Sequence, residues 1–357
     1  MSADVFPNGG NFKAVLESVR LYRNYEDGDA PGPFARPGWF SDLCLWISRS
    51  MGTVGCDLTG AFCQWNASPT FSLIRFETTG PAVWFKAVGE LHGSELPVTA
   101  LLAQRIPGYA TTILATRPEC NGWLSLEAPG ASLAENPSSE AWLAAAAALA
   151  DLQLQALPLC DQLLGSGARD LRSARLGRLI TPFFREVGEL MEEQAKVPPK
   201  RLSDQELLFL EQQTRNAMGR LDDLNLPDTL GQLDINPGNI VLSSQGCRFL
   251  DWAEAYVGPG FFTFLYLQEH LRRCHGLCAG TEEAALAAFL EPWQNIVSRE
   301  RMQGALPWIS LLAVFAYAAG SAVWSEQMKL RNRLAAGYVR CLARRMMHHA
   351  NEFAGGQ

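Results

Sequence analysis

The run Gly231-Gln-Leu-Asp-Ile-Asn-Pro-Gly-Asn-Ile240, with Phe249-Leu-Asp-Trp252 close behind it, sets three oxygen-bearing side chains in a fixed order: Asp234, Asn239 and Asp251. Asn236-Pro-Gly-Asn239 is a tight-turn signal, because Pro fixes φ and Gly tolerates positive φ. Ile240-Val-Leu242 then reads as a strand, Ser243-Ser-Gln-Gly246 as a hairpin turn, and Cys247-Arg-Phe-Leu250 as the returning strand. Such a hairpin brings Asn239 and Asp251 to one end, where both could hold one cation. Magnesium fits that pair, since it takes oxygen ligands and usually only one or two carboxylates. Asp234 is left to accept a proton from a hydroxyl, the division of labour of kinase-type phosphoryl transfer.

On these residues the chain resembles the aminoglycoside phosphotransferase-like kinases, a family that includes the choline kinase type. Their catalytic loop commonly reads His-Gly-Asp-x-x-Pro-Gly-Asn, followed by a hairpin and Asp-Trp. Here the loop is Gln232-Leu-Asp-Ile-Asn-Pro-Gly-Asn239, then Asp251-Trp252. The resemblance implies that Asp234 is the catalytic Asp and that Asn239 and Asp251 are metal ligands. Gln232 replaces the usual His and Leu233 the usual Gly. Gln still forms hydrogen bonds but does not titrate near neutral pH. The resemblance extends, through weaker motifs, over roughly residues 36–345. It implies an α+β, two-lobed protein-kinase-like fold with a β-containing N-lobe and a mainly helical C-lobe. The expected division is residues 1–35 as an extension, 36–127 as the nucleotide-binding lobe and 128–357 as the helical lobe.

Upstream, Trp39 to Met51 has helical periodicity, with Trp39, Phe40, Leu43, Trp46 and Ile47 on one face. Strands are expected at 61–65, 71–76 and 81–88. No Gly-x-Gly-x-x-Gly is present, so the segment from Asn66 to Thr70 is the phosphate-loop candidate. Lys86 stands alone between Phe85 and Ala87 near a strand's end, either facing a cleft or facing solvent. The resemblance makes it the Lys that contacts the nucleotide's α- and β-phosphates. Its orienting carboxylate would be Glu95 or Glu90; Glu95 also suits the first turn of a helix that Ser94 would cap and Pro97 would enter early. Gly122 to Leu126 reads as a strand ending in a breaker, and looks like the inter-lobe hinge. By resemblance, the Leu126 carbonyl and the Ala128 N–H would read adenine.

Downstream, Ser138 to Leu157 is an Ala-rich helix. Leu163 to Ala195 and Asp204 to Leu224 give two further helical patterns, separated by Val197-Pro-Pro-Lys200. Glu254 to Gly260 reads as a loop and Phe261 to Arg273 as an amphipathic helix. Many relatives carry an Asp here that supports the catalytic loop, whereas this chain offers Thr263 and Glu254. His270 reads as structural and His348-His349 as facing solvent. Leu306 to Trp324 is uncharged and long enough to span a membrane, but Pro, Ser, Tyr and Gly dilute it, and a helix buried in the C-lobe is the expectation.

The 357 residues suit two lobes, and a hydrophobic content of 48% describes a soluble globular chain. A net charge of -7 weighs against nucleic acid as the main partner and leaves cationic and neutral small molecules open. The nine Cys are scattered and no secretory signal opens the chain, which predicts reduced thiols and a cytoplasmic setting. Cys274-His275-x2-Cys278 lacks the second ligand pair that a zinc site needs. A doubly wound parallel sheet is excluded, because neither its Gly-rich fingerprint nor a repeated βαβ pattern occurs. Two readings follow. One is a phosphotransferase moving the γ-phosphate of ATP or GTP, with Mg2+, to a hydroxyl of a small molecule. The other is a catalytically weak nucleotide-binding pseudokinase.

Overall fold

The computed structural model describes residues 32–52, 54–89, 93–320 and 333–355. The possible strand at 14–22 and the orienting candidate Glu90 lie outside the described residues. The chain forms two compact units, dividing between Pro129 and Gly130.

The first unit is built on helix α1 (Trp39–Met51), strands β1 (Leu58–Ala67), β2 (Ser72–Thr78) and β3 (Val83–Ala87), helix α2 (Glu95–Arg105), and strands β4 (Ile113–Arg117) and β5 (Gly122–Leu126). The sheet runs in the order β1-β2-β3-β5-β4, every pair antiparallel. Strand alternation splits β3 between two faces. Val83, Phe85 and Ala87 pack with Ile74, Phe76 and Leu124 against Leu43, Ile47 and Met51 of α1. Lys86 therefore points to the opposite face, with Leu73 and Trp123 as its cross-strand neighbours. Ser94 precedes α2 but makes no side-chain cap; its backbone is already near-helical, with φ −79 and ψ −14, rather than in the extended geometry a capping side chain needs.

The second unit contains strand β6 (Ala131–Ser132), helices α3 (Ser139–Ala156) and α4 (Cys160–Gly165), strand β7 (Arg169–Asp170), helices α5 (Ser173–Glu192) and α6 (Asp204–Leu224), strands β8 (Asp228–Gln232), β9 (Ile240–Ser243), β10 (Gly246–Phe249) and β11 (Ala255–Pro259), and helices α7 (Phe261–Leu271), α8 (Thr281–Leu290), α9 (Arg299–Gly320) and α10 (Arg333–Gly355). Caps place two of the helices sharply. Ser138 accepts the Ala141 N–H at 3.1 Å, and Ser203 and Glu206 form a reciprocal capping box.

Two further expectations are corrected. The helical pattern from Leu163 to Ala195 is broken, because Gly167 takes φ +94 and Arg169–Asp170 pairs parallel to Tyr256–Val257. The 254–260 loop is largely strand: β11 pairs antiparallel with β8, setting Ala255 opposite Gln232. Helix α9 is buried inside this unit, with Ile309, Leu311, Leu312 and Phe315 at 0% exposure. By length and composition alone, two helical stretches among the described residues could cross a membrane, 139–165 and 299–320, but apolar composition is also what core helices need.

Candidate functional site

In the first unit, Lys86 Nζ lies 2.6 Å from Glu95 Oε1, with the Lys86 side chain 14% exposed and that of Glu95 1%. A carboxylate buried so deeply requires a cation nearby, because its desolvation is costly unless it is paired. The Lys86 ammonium also stands 5.8 Å from the centre of the Trp123 ring, a cation–π distance. Near the end of β3, the alternation that builds the core on one face turns Lys86 to the other, where Glu95 of α2 meets it.

The end of β5 in the same unit is clamped by charge. Arg75 grips Glu127 through two nitrogens, at 2.5 and 2.9 Å, and Trp84 Nε1 donates to the same carboxylate at 3.0 Å. Glu127 is held below the usual carboxylate range, chiefly by the Arg75 hydrogen bond. The backbone N–H groups of Leu126 and Glu127 are used within the unit, donating to Thr112 and Ala82 at 2.9 Å each. Ala128 follows directly on this clamped segment. The 66–70 segment is a tight turn: Ser68 Oγ accepts the N–H groups of Thr70 at 3.2 Å and Phe71 at 2.9 Å.

In the second unit, the β9–β10 hairpin has Ile240 opposite Phe249, so Asn239 and Asp251 flank its open end. The Leu250 N–H donates to the Asn239 carbonyl at 2.8 Å. The turn before it closes through Asn236 Oδ1, which accepts the Gly238 N–H at 2.9 Å. Asp251 itself takes a left-handed backbone, φ 64 and ψ 68.

Asp234 stands just beyond β8, between Leu233 and Ile235, each 2% exposed, which anchor it on both sides. Its own side chain reaches solvent from a crowded, concave setting. Its carboxyl is pushed above the usual aspartate range by partial desolvation, then by the charges of Asp251 and Glu254. The oxygen set of Asn239 and Asp251 at the hairpin's open end is of the kind that magnesium takes. No cluster of three or more His, Cys, Asp and Glu suited to a metal occurs among the described residues, so the Asn oxygen is needed to complete a ligand set.

Support for this loop comes from residues whose part was not readable beforehand. Gln232, 1% exposed, donates from Nε2 to the carbonyls of Leu250, at 3.1 Å, and Asp251. Its backbone N–H donates to Thr263 Oγ1 at 2.9 Å, and that hydroxyl meets Tyr256 OH at 3.0 Å. Thr263 thus supports the loop that carries Asp234, although a hydroxyl at that position does not announce itself as a stand-in for a carboxylate. Glu254 also takes part: its carbonyl accepts the Leu233 N–H at 3.0 Å while its side chain pairs with Arg169 at 2.9 Å.

Asp234 opens onto a cavity of about 250 Å³ in the second unit, walled by α7, α9 and α10. His270 and His349 both line it. His349 was expected to face solvent, yet its side chain is only 15% exposed, against 71% for His348. The reason is helical phase: Tyr338, Leu342, Arg345 and His349 follow one another at spacings of about three to four residues, one stripe of α10. Burial lowers both imidazoles below their ordinary value, with Arg273 adding to the effect at His270 and Arg345 at His349.

No family model matches the sequence, and no curated protein matches it. Solved structures share the fold. A choline/ethanolamine kinase family protein from Mesorhizobium loti superposes with a TM-score of 0.55 at 13% identity, over 87% of this chain and 98% of that one. A choline kinase from Cryptosporidium parvum gives 0.56 at 12% identity, over 88% and 97%. A macrolide 2'-phosphotransferase from Brachybacterium faecium gives 0.51 at 17% identity, over 84% and 97%. The fold is therefore the protein-kinase-like one of antibiotic phosphotransferases and choline kinases, as the catalytic-loop motif led us to expect.

Proposed function

We propose that the chain transfers the γ-phosphoryl group of ATP or GTP to a hydroxyl of a small molecule. The observation that carries this reading is Asp234: a carboxylate beside Asp251 and the Asn239 hairpin end, opening onto a cavity sized for a compact ligand. Fold likeness to small-molecule kinases supports it.

In this reading Lys86, held by Glu95, binds the α- and β-phosphates. The Leu126 carbonyl and the Ala128 N–H meet adenine, on a segment stiffened by the Arg75–Glu127 clamp. Asn239 and Asp251 hold Mg2+, which when bound offsets charge on the phosphates. The acceptor hydroxyl oxygen bonds to the γ-phosphorus as the bridge to the β-phosphate breaks, and the nucleoside diphosphate leaves. Asp234 orients the hydroxyl and takes its proton, and its raised affinity for protons suits that task.

Nucleotide titration with and without magnesium tests the binding half. Asp251→Asn in folded protein should abolish the magnesium dependence; unchanged dependence refutes the ligand assignment. An acceptor screen followed by Asp234→Asn tests the chemistry. That variant should keep nucleotide affinity and lose turnover by about a hundredfold or more. Turnover at the wild-type rate would sink the role of Asp234. Magnesium-dependent binding with no acceptor across the screen would favour the pseudokinase reading.

A further inference from the structure

The cavity at Asp234 has two chemically distinct ends. Tyr317 lies within the field of Asp234, and Tyr266 and His349 lie within that of Arg345. At the far end Glu269 is met by three guanidinium groups: Arg345 at 2.7 Å, Arg272 at 2.9 Å and Arg273 at 3.6 Å. Arg272 is shared with Glu282 at 2.6 Å. Three cations thus face two carboxylates, an excess of one positive charge. Among the described residues, no acidic side chain other than those of Asp234 and Glu269 lines the cavity. Between the ends stand three tyrosines in edge contact. Tyr266 and Tyr317 have ring centres 5.5 Å apart, and Tyr317 and Tyr338 6.2 Å. Their hydroxyls are tied down: Tyr266 OH donates to the Ala313 carbonyl at 2.6 Å, and Tyr338 OH donates to Tyr317 OH at 3.2 Å. Fixed rings offer flat, apolar walls at little cost in conformational freedom.

An ammonium or polyamine at the arginine end would meet like charge in a partly desolvated setting, an arrangement that selects against such ligands. A carboxylate there would meet the guanidinium fork of Arg345, which carries five donors and gives one nitrogen to Glu269. We propose that the cavity takes an acceptor alcohol that carries one acidic group and a flat body, with the hydroxyl at Asp234, the body along the tyrosines and the acid at Arg345. The proposal rests on the phosphotransfer reading for the word acceptor, but its charge preference is a property of binding alone.

The test therefore omits nucleotide. Binding of para-hydroxymethylbenzoate and of para-hydroxymethylbenzylamine to the full chain is measured by calorimetry. These probes share ring and hydroxyl and differ in the sign of the far group. The benzoate should bind about tenfold more tightly. Arg345→Gln should abolish or reverse the preference, and Arg345→Lys should keep it, with thermal melts confirming that both variants fold. Equal or tighter binding of the amine, no binding of the benzoate at millimolar concentration, or an undiminished preference in Arg345→Gln each overturns the proposal. The wild-type comparison stands even where a variant does not fold. Failure of phosphotransfer would appear separately, as absent turnover in the acceptor screen with the binding preference intact.

Discussion

Gln232 and Asp251 are joined by a side chain reaching a backbone: the buried Gln232 amide donates to the Asp251 carbonyl. The end of β8 and the end of the hairpin are thereby held by a group that does not titrate. A histidine in this place would carry a charge that depends on pH, whereas this tie is the same at every pH at which the protein folds.

Replacing Gln232 by Leu removes the donor and leaves the Leu250 and Asp251 carbonyls without it. We expect a loss of about 1–3 kcal/mol in stability. Weaker magnesium-dependent nucleotide binding should accompany it. Urea unfolding and nucleotide titration read the two effects. A variant with wild-type stability and wild-type magnesium response would show that the tie is dispensable.

Lys86→Met takes a cation from a carboxylate that is 1% exposed. About 3–5 kcal/mol of destabilisation is expected, as for breaking a buried ion pair from one side. The double variant Lys86→Met/Glu95→Leu should recover much of that loss, since no charge is then left buried. Nucleotide binding should stay impaired in both. A double-mutant cycle in denaturant provides the measurement, and strict additivity would contradict the coupling.

Asp234 binds its proton more tightly in the folded protein than at its ordinary value of 3.8. Its contribution to stability is present below that value and is lost as pH rises through the higher, folded one. At about pH 7 the ionised carboxylate therefore burdens the fold, the familiar conflict between stability and function. Asp234→Asn should melt higher than wild type near neutral pH in metal-free buffer, and the gap should close as pH falls toward about 3. A gap that widens on acidification would contradict this linkage.

Gly231 allows the ring of Tyr256 to pass against the backbone. A Cβ built at Gly231 would come within 2.0 Å of the Tyr256 ring, whose side chain is fully buried and bonded to the Pro259 carbonyl at 3.1 Å. Gly231→Ala should cost about 1–3 kcal/mol or more, because both partners are fixed. Gly231→Ala combined with Tyr256→Leu should recover part of the loss; no recovery would mean that the glycine is needed for another reason.

Local chemistry made much of this legible. The Pro-Gly turn and the hairpin signals located Asn239 and Asp251, because turn residues act through their own backbone. A lone charge in an apolar strand singled out Lys86, the family resemblance gave it a carboxylate partner, and the structure shows Glu95 in that place. What stayed hidden depends on contacts distant in sequence. Thr263 supports Gln232 across 31 positions. Strand β11 reads locally as a loop because Gly258 and Pro259 look like breakers, whereas pairing with β8 overrides that local preference. The cavity beside Asp234 draws on three helices, so no single window contains it. The stripe from Tyr338 to His349 on α10 was the one available hint.

Asp251 sits in the left-handed region, at φ 64, where asparagine and glycine are at ease and most other side chains are strained. The position therefore admits few heirs. A descendant of this chain with no use for the carboxylate would be free to discard it, yet it would still have to turn the same corner. Drift there should end at Asn or Gly far more often than at Ala or Ser. A lineage carrying either residue after Phe249-Leu250 would bear the mark of a discarded carboxylate on a retained hairpin.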